Sequence, residues 1–132
     1  SPISIISEDS YISEKKFVSK GVQIFPKAVV QENTTIGEYT ILNTASIVEH
    51  DCEVGNGVHI MPGAVIGGNV KIGNFATIGL NATILPNLKI EEGAYIGAGS
   101  VIVKDVKKNH VIAGNPGKFL KKINHKVNIK FL

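Results

Sequence analysis

The sequence predicts a left-handed parallel β-helix, because three kinds of residue recur along it with a period of six. Every sixth position carries a branched aliphatic residue and the phase never slips: Ile6, Ile12, Val18, Ile24, Val30, Ile36, Leu42, Val48, Val54, Ile60, Ile66, Ile72, Ile78, Ile84, Ile90, Ile96 and Ile102. Three residues after each aliphatic, Asn, Asp or Gly is frequent, and these residues tolerate left-handed backbone angles. Four residues after it, the side chain is mostly small. An α-helix would need a period near 3.6, so the pattern excludes a helical fold.

A six-residue unit of this kind is a short strand followed by a turn, with one aliphatic and one small side chain facing inward. Three units complete a triangular coil of 18 residues, and successive coils pair at the ~4.8 Å spacing of β-strands. We therefore expect about six coils over residues 1–109. For residues 110–132 we expect a strand at 110–113, a short helix starting at Pro116 and ending at Ile123, and a tail in which Val127, Ile129 and Leu132 pack on a neighbouring subunit.

Composition limits the classes of function that are expected for this chain. The net charge is +3 and every basic residue is Lys. Without Arg and with few aromatic residues, nucleic-acid binding is not expected. The Lys residues that cluster from Lys104 onward suit a small phosphorylated ligand, or are simply solvated. With neither a signal peptide nor a long apolar stretch, we expect a cytoplasmic protein that does not bind membranes. Cys52 is the only cysteine and falls in the small inward column, so we expect a buried, inert thiol.

His50 is the first candidate for chemistry. It falls at a turn position and should point outward, and the 18-residue repeat places Gly68 above it and Glu32 below it. A glycine above a projecting histidine predicts an open notch, in which the Gly68 amide could donate to an oxyanion. Asp51 belongs to a ladder of corner residues spaced 18 apart, namely Asn33, Asp51, Asn69, Asn87 and Asp105. It is therefore either a corner residue or the partner that orients His50, and the two roles are compatible.

Four segments carry a family resemblance: 47–52 (Ile-Val-Glu-His-Asp-Cys), 58–64 (Val-His-Ile-Met-Pro-Gly-Ala), 85–88 (Leu-Pro-Asn-Leu) and 113–118 (Ala-Gly-Asn-Pro-Gly-Lys). Together with the six-residue repeat, they resemble the NeuD/PglD family of bacterial sugar acetyltransferases, which are hexapeptide-repeat acyltransferases. The resemblance implies a homotrimer with active sites between subunits, acetyl-CoA as co-substrate, and acetyl transfer to an amino or hydroxyl group of a sugar or nucleotide-sugar. We expect no metal, and we expect direct transfer without an acyl-enzyme, since Cys52 should be buried.

The resemblance also implies roles for individual residues. The general base would be His50, supported by Asp51. His59 and Gly68 would contact the acetyl-CoA side of the pocket, although a solvated or edge-satisfied His59 is the alternative. The pantetheine groove would contain Gly79, Leu80, Gly97 and Ala98.

One feature departs from the family. Its members usually carry an N-terminal Rossmann-like domain that holds the nucleotide-sugar, and this sequence contains no Gly-rich phosphate loop after a strand. We expect either that such a domain has been removed or that the acceptor differs.

Two other functions use the same fold. A γ-carbonic-anhydrase-like enzyme would hold zinc between subunits through three histidines, whereas only His50 and His59 fall within the predicted coils. A structural scaffold would show the same columns, but it has no need of a Glu-His-Asp cluster beneath two glycines.

Overall fold

The computed structural model describes residues 3–124, which form short strands separated by turns. The strands are β1 (Ile5–Ile6), β2 (Tyr11–Ile12), β3 (Gln23–Ile24), β4 (Val29–Val30), β5 (Thr35–Ile36), β6 (Ile41–Leu42), β7 (Ile47–Val48), β8 (Glu53–Val54), β9 (His59–Ile60), β10 (Val65–Ile66), β11 (Lys71–Ile72), β12 (Thr77–Ile78), β13 (Thr83–Ile84), β14 (Lys89–Ile90), β15 (Tyr95–Ile96), β16 (Val101–Ile102), β17 (His110–Ala113) and β18 (Lys118–Lys122). A 3-10 turn covers Lys15–Phe17.

Successive strands belong to three different sheets, which form the faces of a prism. Face A has the strand order β1-β3-β6-β9-β12-β15-β17-β18, face B has β2-β4-β7-β10-β13-β16, and face C has β5-β8-β11-β14. Neighbours within a face are parallel and pair residues 18 apart, as in Ile41 with His59 and Val65 with Thr83. The exceptions on face A are β15 and β17, which pair residues 16 apart, and β18, which is antiparallel to β17. The predicted left-handed β-helix of about six coils is confirmed.

Left-handed backbone angles turn the chain at the corners. Asn33, Asp51 and Asn81 have φ of 56°, 59° and 55°, and the equivalent corner residues of most other coils also have positive φ. Asp9 and Asp105 also stand three residues after an aliphatic of the repeat, but they do not have positive φ. Asp105 also leaves the predicted ladder, because the last coil is shorter and pairs Ile90 with Val106, 16 residues apart. Its carboxylate accepts a hydrogen bond from the Lys89 amide (2.9 Å) instead of stacking on Asn87.

The inside of the prism is filled by the two predicted inward columns. The aliphatic side chains of β3 to β16 are buried one above another, with the small residues between them. Cys52 is fully buried in this core, as expected.

The outward side chains distinguish the faces. On face B they are mostly branched and apolar (Val29, Ile47, Val65, Val101), whereas on face C three successive strands carry Glu53, Lys71 and Lys89. Face B is therefore the face on which apolar contact with another molecule would bury the most water-exposed hydrocarbon.

The predicted helix from Pro116 to Ile123 is wrong. The turn at 114–117 returns the chain, and β18 pairs antiparallel with β17, the predicted strand at 110–113. The end of face A offers unpaired backbone groups to any adjacent strand, and a helix this short has little stability of its own. Within residues 3–124, no helix is long and apolar enough to cross a membrane. Val127, Ile129 and Leu132 lie outside the described residues.

The core makes a direct prediction about stability. Replacing buried Ile72 by Ala should lower the free energy of unfolding by about 2–5 kcal/mol, because a cavity remains in the prism. The matched control is Lys71→Ala in the same strand, where the side chain is exposed and its ion pair with Glu53 is worth about 1 kcal/mol or less. Denaturant unfolding at fixed protein concentration measures both. Equal losses would show that Ile72 does not face a packed interior.

Candidate active site

His50 projects from the corner between faces B and C, in the turn that joins β7 to β8. Its side chain is 60% exposed, as the repeat predicts. The backbone of this turn is held from both sides. The His50 carbonyl accepts a hydrogen bond from the Asn69 amide above (2.8 Å), and the Asp51 amide donates to the Glu32 carbonyl below (3.0 Å). The imidazole is therefore accessible to a ligand while its backbone is fixed.

Asp51 orients the imidazole of His50. Its carboxylate oxygen Oδ2 lies 2.8 Å from His50 Nδ1. The hydrogen bond to Asp51 raises the pKa of His50 above its ordinary value, desolvation opposes this shift, and the charges of Asp51, Glu49 and Glu32 raise the pKa further. Because the carboxylate accepts, the neutral ring carries its proton on Nδ1 and leaves the Nε2 lone pair free. Asp51 is thus a corner residue and the partner of His50 at once.

Gly68 lies directly above the imidazole. A Cβ atom added at Gly68 would come within 2.6 Å of His50 Nε2, so no other residue fits there without displacing the ring. The predicted open notch is filled by the imidazole itself, which covers Gly68 and leaves it buried. The periodicity placed the two residues correctly, but it could not supply the rotamer of the histidine. Among residues 3–124, the Gly68 amide donates no hydrogen bond.

A shallow depression of about 330 Å³ opens beside the imidazole. It is lined by Gln31, Glu32, Asn33, Glu49, His50 and Asp51. Three of these residues are carboxylates and none is a lysine or arginine, so the depression is electronegative. Its chemistry favours a cationic or hydrogen-bond-donating group close to His50.

His59 lies on the other side of the prism. It follows His50 by nine residues, which is half a coil, and its side chain is on the outside of β9 in face A. The ring is half-buried, and burial lowers the pKa of His59. Its Nε2 lies 3.2 Å from the amide nitrogen Nδ2 of Asn43. Sequence reasoning did not single out Asn43, because the two residues are 16 apart and only the lean of their side chains brings them together.

The predicted groove residues occupy a third region, the corner between faces A and B. A Cβ atom at Gly79 would lie 2.8 Å from the backbone carbon of Gly97, so these two glycines are stacked in close contact. Leu80 is 48% exposed and Ala98 is also exposed. Face B separates this corner from His50, so one chain does not bring the two sets of residues together.

Potential metal ligands are not clustered within the described residues. Within residues 3–124, no three His, Cys, Asp or Glu side chains are close enough to hold an ion together. The burial of Cys52 raises its thiol pKa, which disfavours the thiolate. Nucleophilic chemistry at Cys52 is therefore unfavourable.

The stacked two-residue strands, the left-handed corners and the outward histidine define a hexapeptide-repeat β-helix protein. Within that class, residues 1–93 match the sequence model described as the GMPPB C-terminal domain, and the chain belongs to this family. No curated protein matches the chain.

Two solved structures of moderate sequence identity resemble the chain. PerB from Caulobacter crescentus, in complex with CoA and GDP-perosamine, is 28% identical with a TM-score of 0.88 over 92% of this chain. The acetyltransferase domain of PglB from Neisseria gonorrhoeae is 37% identical with a TM-score of 0.77 over 90% of this chain. The chain spans 58% of the length of the first and 55% of the second.

A third structure supports the fold alone. AntD, an N-acyltransferase from Bacillus cereus in complex with dTDP and 3-hydroxybutyryl-CoA, is 18% identical with a TM-score of 0.84. The alignment covers 94% of this chain and 82% of AntD.

The contact between His50 and Asp51 predicts a titration that requires no substrate. The pKa of the His50 imidazole should lie above the ordinary value for histidine, and Asp51→Asn should lower that pKa, because the substitution removes a negative charge. Asn suits the left-handed corner, since Asn occupies the same place in neighbouring coils. NMR titration of the imidazole carbons measures the change, with His59 as the internal control on the opposite side. An unchanged His50 pKa in Asp51→Asn would contradict the assigned contact.

Proposed function

We propose that this chain is the acetyl-CoA-dependent acetyltransferase domain of an enzyme that acetylates an amino or hydroxyl group of a sugar, in a nucleotide-linked or free form. The observation that carries the proposal is the exposed His50 imidazole, whose Nδ1 is engaged by Asp51 and whose Nε2 lies against Gly68. PerB, a similar structure, holds CoA and GDP-perosamine, and the PglB acetyltransferase domain has been solved with acetyl coenzyme A.

The reaction follows from the free Nε2. The acceptor nitrogen or oxygen attacks the thioester carbonyl carbon while His50 Nε2 takes the acceptor's proton. Asp51 stabilises the resulting imidazolium, and the proposed donor to the oxyanion is the Gly68 amide. When the tetrahedral intermediate collapses, the carbon–sulfur bond breaks and the imidazolium returns the proton to the CoA thiolate. The acetyl group passes directly to the acceptor, without an acyl-enzyme.

The charges around His50 favour an amine as the acceptor. Glu32, Glu49 and Asp51 would attract a sugar that arrives as an ammonium ion. The ammonium loses one proton to solvent before it attacks, and the amine gives the second proton to His50 Nε2 as it attacks. A hydroxyl acceptor gains no comparable attraction. N-acetylation is therefore the preferred form of the proposal.

We propose a homotrimer with active sites between subunits, because the two groups of site residues lie at different corners of one prism. His50 lies at the corner of faces B and C, whereas Leu80 and Ala98 lie at the corner of faces A and B. A thioester held along the second corner could reach only the His50 of another chain. The apolar outer surface of face B, between the two corners, supports contact between chains.

We propose that the lysines at the end of the prism bind the CoA phosphates. Lys104, Lys107 and Lys118 line a depression of about 220 Å³ together with apolar side chains that include Val103 and Phe119. Apolar walls rimmed by cations suit a nucleotide with charged phosphate groups.

Replacing His50 tests the chemistry. His50→Ala should lower kcat for acetyl transfer to an amino sugar by about two to four orders of magnitude, the usual contribution of a general base. The assay follows CoA thiol release with nucleotide-linked and free amino sugars, and hydroxyl analogues test the preference for an amine. Glu53→Ala, an exposed change on face C in the next strand, is the control and should keep wild-type turnover. Near-normal activity in His50→Ala would refute the assignment, and a wild-type chain that binds no acetyl-CoA would favour a scaffold.

Mixing two inactive variants tests the shared site. His50→Ala removes the base, and Ala98→Trp blocks the groove at an exposed position. Co-expressed chains should regain about one quarter of wild-type activity, because random assembly pairs an intact His50 with an intact Ala98 of the next chain at one site in four. Each variant expressed alone is the control. Mixed oligomers that stay inactive would place the whole site within one chain.

A further inference from the structure

We infer that Thr34 is a positioning residue for the proposed acetyl transfer: its buried hydroxyl group clamps the turn that presents His50 and Asp51. The inference rests on the proposed function. Thr34 lies one coil below this turn, is 2% exposed, and belongs to the small inward column.

The clamp consists of two hydrogen bonds that bracket the functional pair. Thr34 Oγ1 donates to the carbonyl of Glu49 (2.7 Å), the residue before His50. The same oxygen accepts from the amide of Cys52 (3.1 Å), the residue after Asp51. Neither backbone group has another hydrogen-bond partner among the described residues, so both would lose their partner if the hydroxyl were removed. The backbone on either side of His50 is therefore held by one side chain.

The thiol of Cys52 occupies the equivalent place one coil higher. Its Sγ lies 3.2 Å from the carbonyl of Gly67, next to the glycine that covers the imidazole. In the two coils above, this interior corner column carries the apolar residues Val70 and Leu88. The buried members of the column that hydrogen-bond to the backbone, Thr34 and Cys52, thus support the two turns that form the site. A shell of fixed hydrogen bonds behind catalytic groups is the usual means of holding them in a productive geometry.

Thr40 provides a closely matched control. It is 0% exposed, it donates to the Gly55 carbonyl at 2.7 Å, and it accepts from the Val58 amide at 3.1 Å. It makes the same clamp at the corner between faces C and A, away from His50. Thr34→Val and Thr40→Val therefore delete equivalent hydrogen bonds and differ in the turn that they release.

The test compares these two variants with Thr34→Ser, which restores the hydroxyl group. Both valine variants should lose similar thermal stability. Thr34→Val should in addition lose about tenfold to a hundredfold in kcat, with KM for acetyl-CoA nearly unchanged, because a small displacement of a catalytic group has an effect of this size. Thr40→Val should keep its kcat within about twofold, and Thr34→Ser should recover most of the activity.

Titration of His50 by NMR supplies a second readout that does not need turnover. Thr34→Val should lower the pKa of His50 by loosening its contact with Asp51, whereas Thr40→Val should not change it. The inference is overturned if the two valine variants have the same kcat and the same His50 pKa. It is also overturned if Thr34→Ser restores neither the kcat nor the His50 pKa. If the wild-type chain transfers no acetyl group, the proposed function fails, and the His50 titration still decides the positioning role. Should the valine variants not fold, Thr34→Ala and Thr40→Ala repeat the comparison.

Discussion

The structure depends on the pairing of strands only two residues long, one coil above another. Two residues supply few hydrogen bonds, so no single strand is stable, and stability comes from adding equal layers. The left-handed corners make this addition regular, since each one returns the chain to the next face after the same number of residues. The 18-residue register then places equivalent side chains above one another, so that each aliphatic side chain in the core packs on another aliphatic side chain. Any function must be placed on the outward positions that this register leaves free.

The same corner constraint supplies the chemistry. A corner residue must tolerate positive φ, which favours Asn, Asp and Gly. At Asp51 this requirement brings a carboxylate next to the preceding side chain, where it binds His50 Nδ1. At most other corners the equivalent residue has no histidine beside it, and its role is only to allow the left-handed turn of the backbone. Asp51 therefore meets a structural and an electrostatic requirement with one side chain.

Periodicity made the fold and the pairing of His50 with Gly68 predictable, because stacking depends only on residue count. It could not predict the ring of His50 filling the notch, since a rotamer depends on the surrounding contacts. The contacts of Asn43 with His59 and of Thr34 with Glu49 were also missed. They join residues 16 and 15 apart, and they depend on the directions of the side chains rather than on the 18-residue register. The repeat ends before residue 110, so only local sequence signals remained, and they suggested a helix. The structure instead has β18, which pairs with β17 at the open end of face A. Asp105 was misplaced because the last coil is shorter than the others.

The geometry of the prism also limits where a two-substrate reaction can take place. A straight prism has no internal cleft, and its core is filled by the aliphatic column. A bound acyl donor and acceptor must therefore lie on its outside, where a single convex surface would leave most of each ligand in water. Two prisms side by side form a groove, which excludes water and strengthens the hydrogen bonds around a developing oxyanion. On the function that we propose, assembly is thus part of catalysis, because the protein makes its concave site by placing two convex faces together.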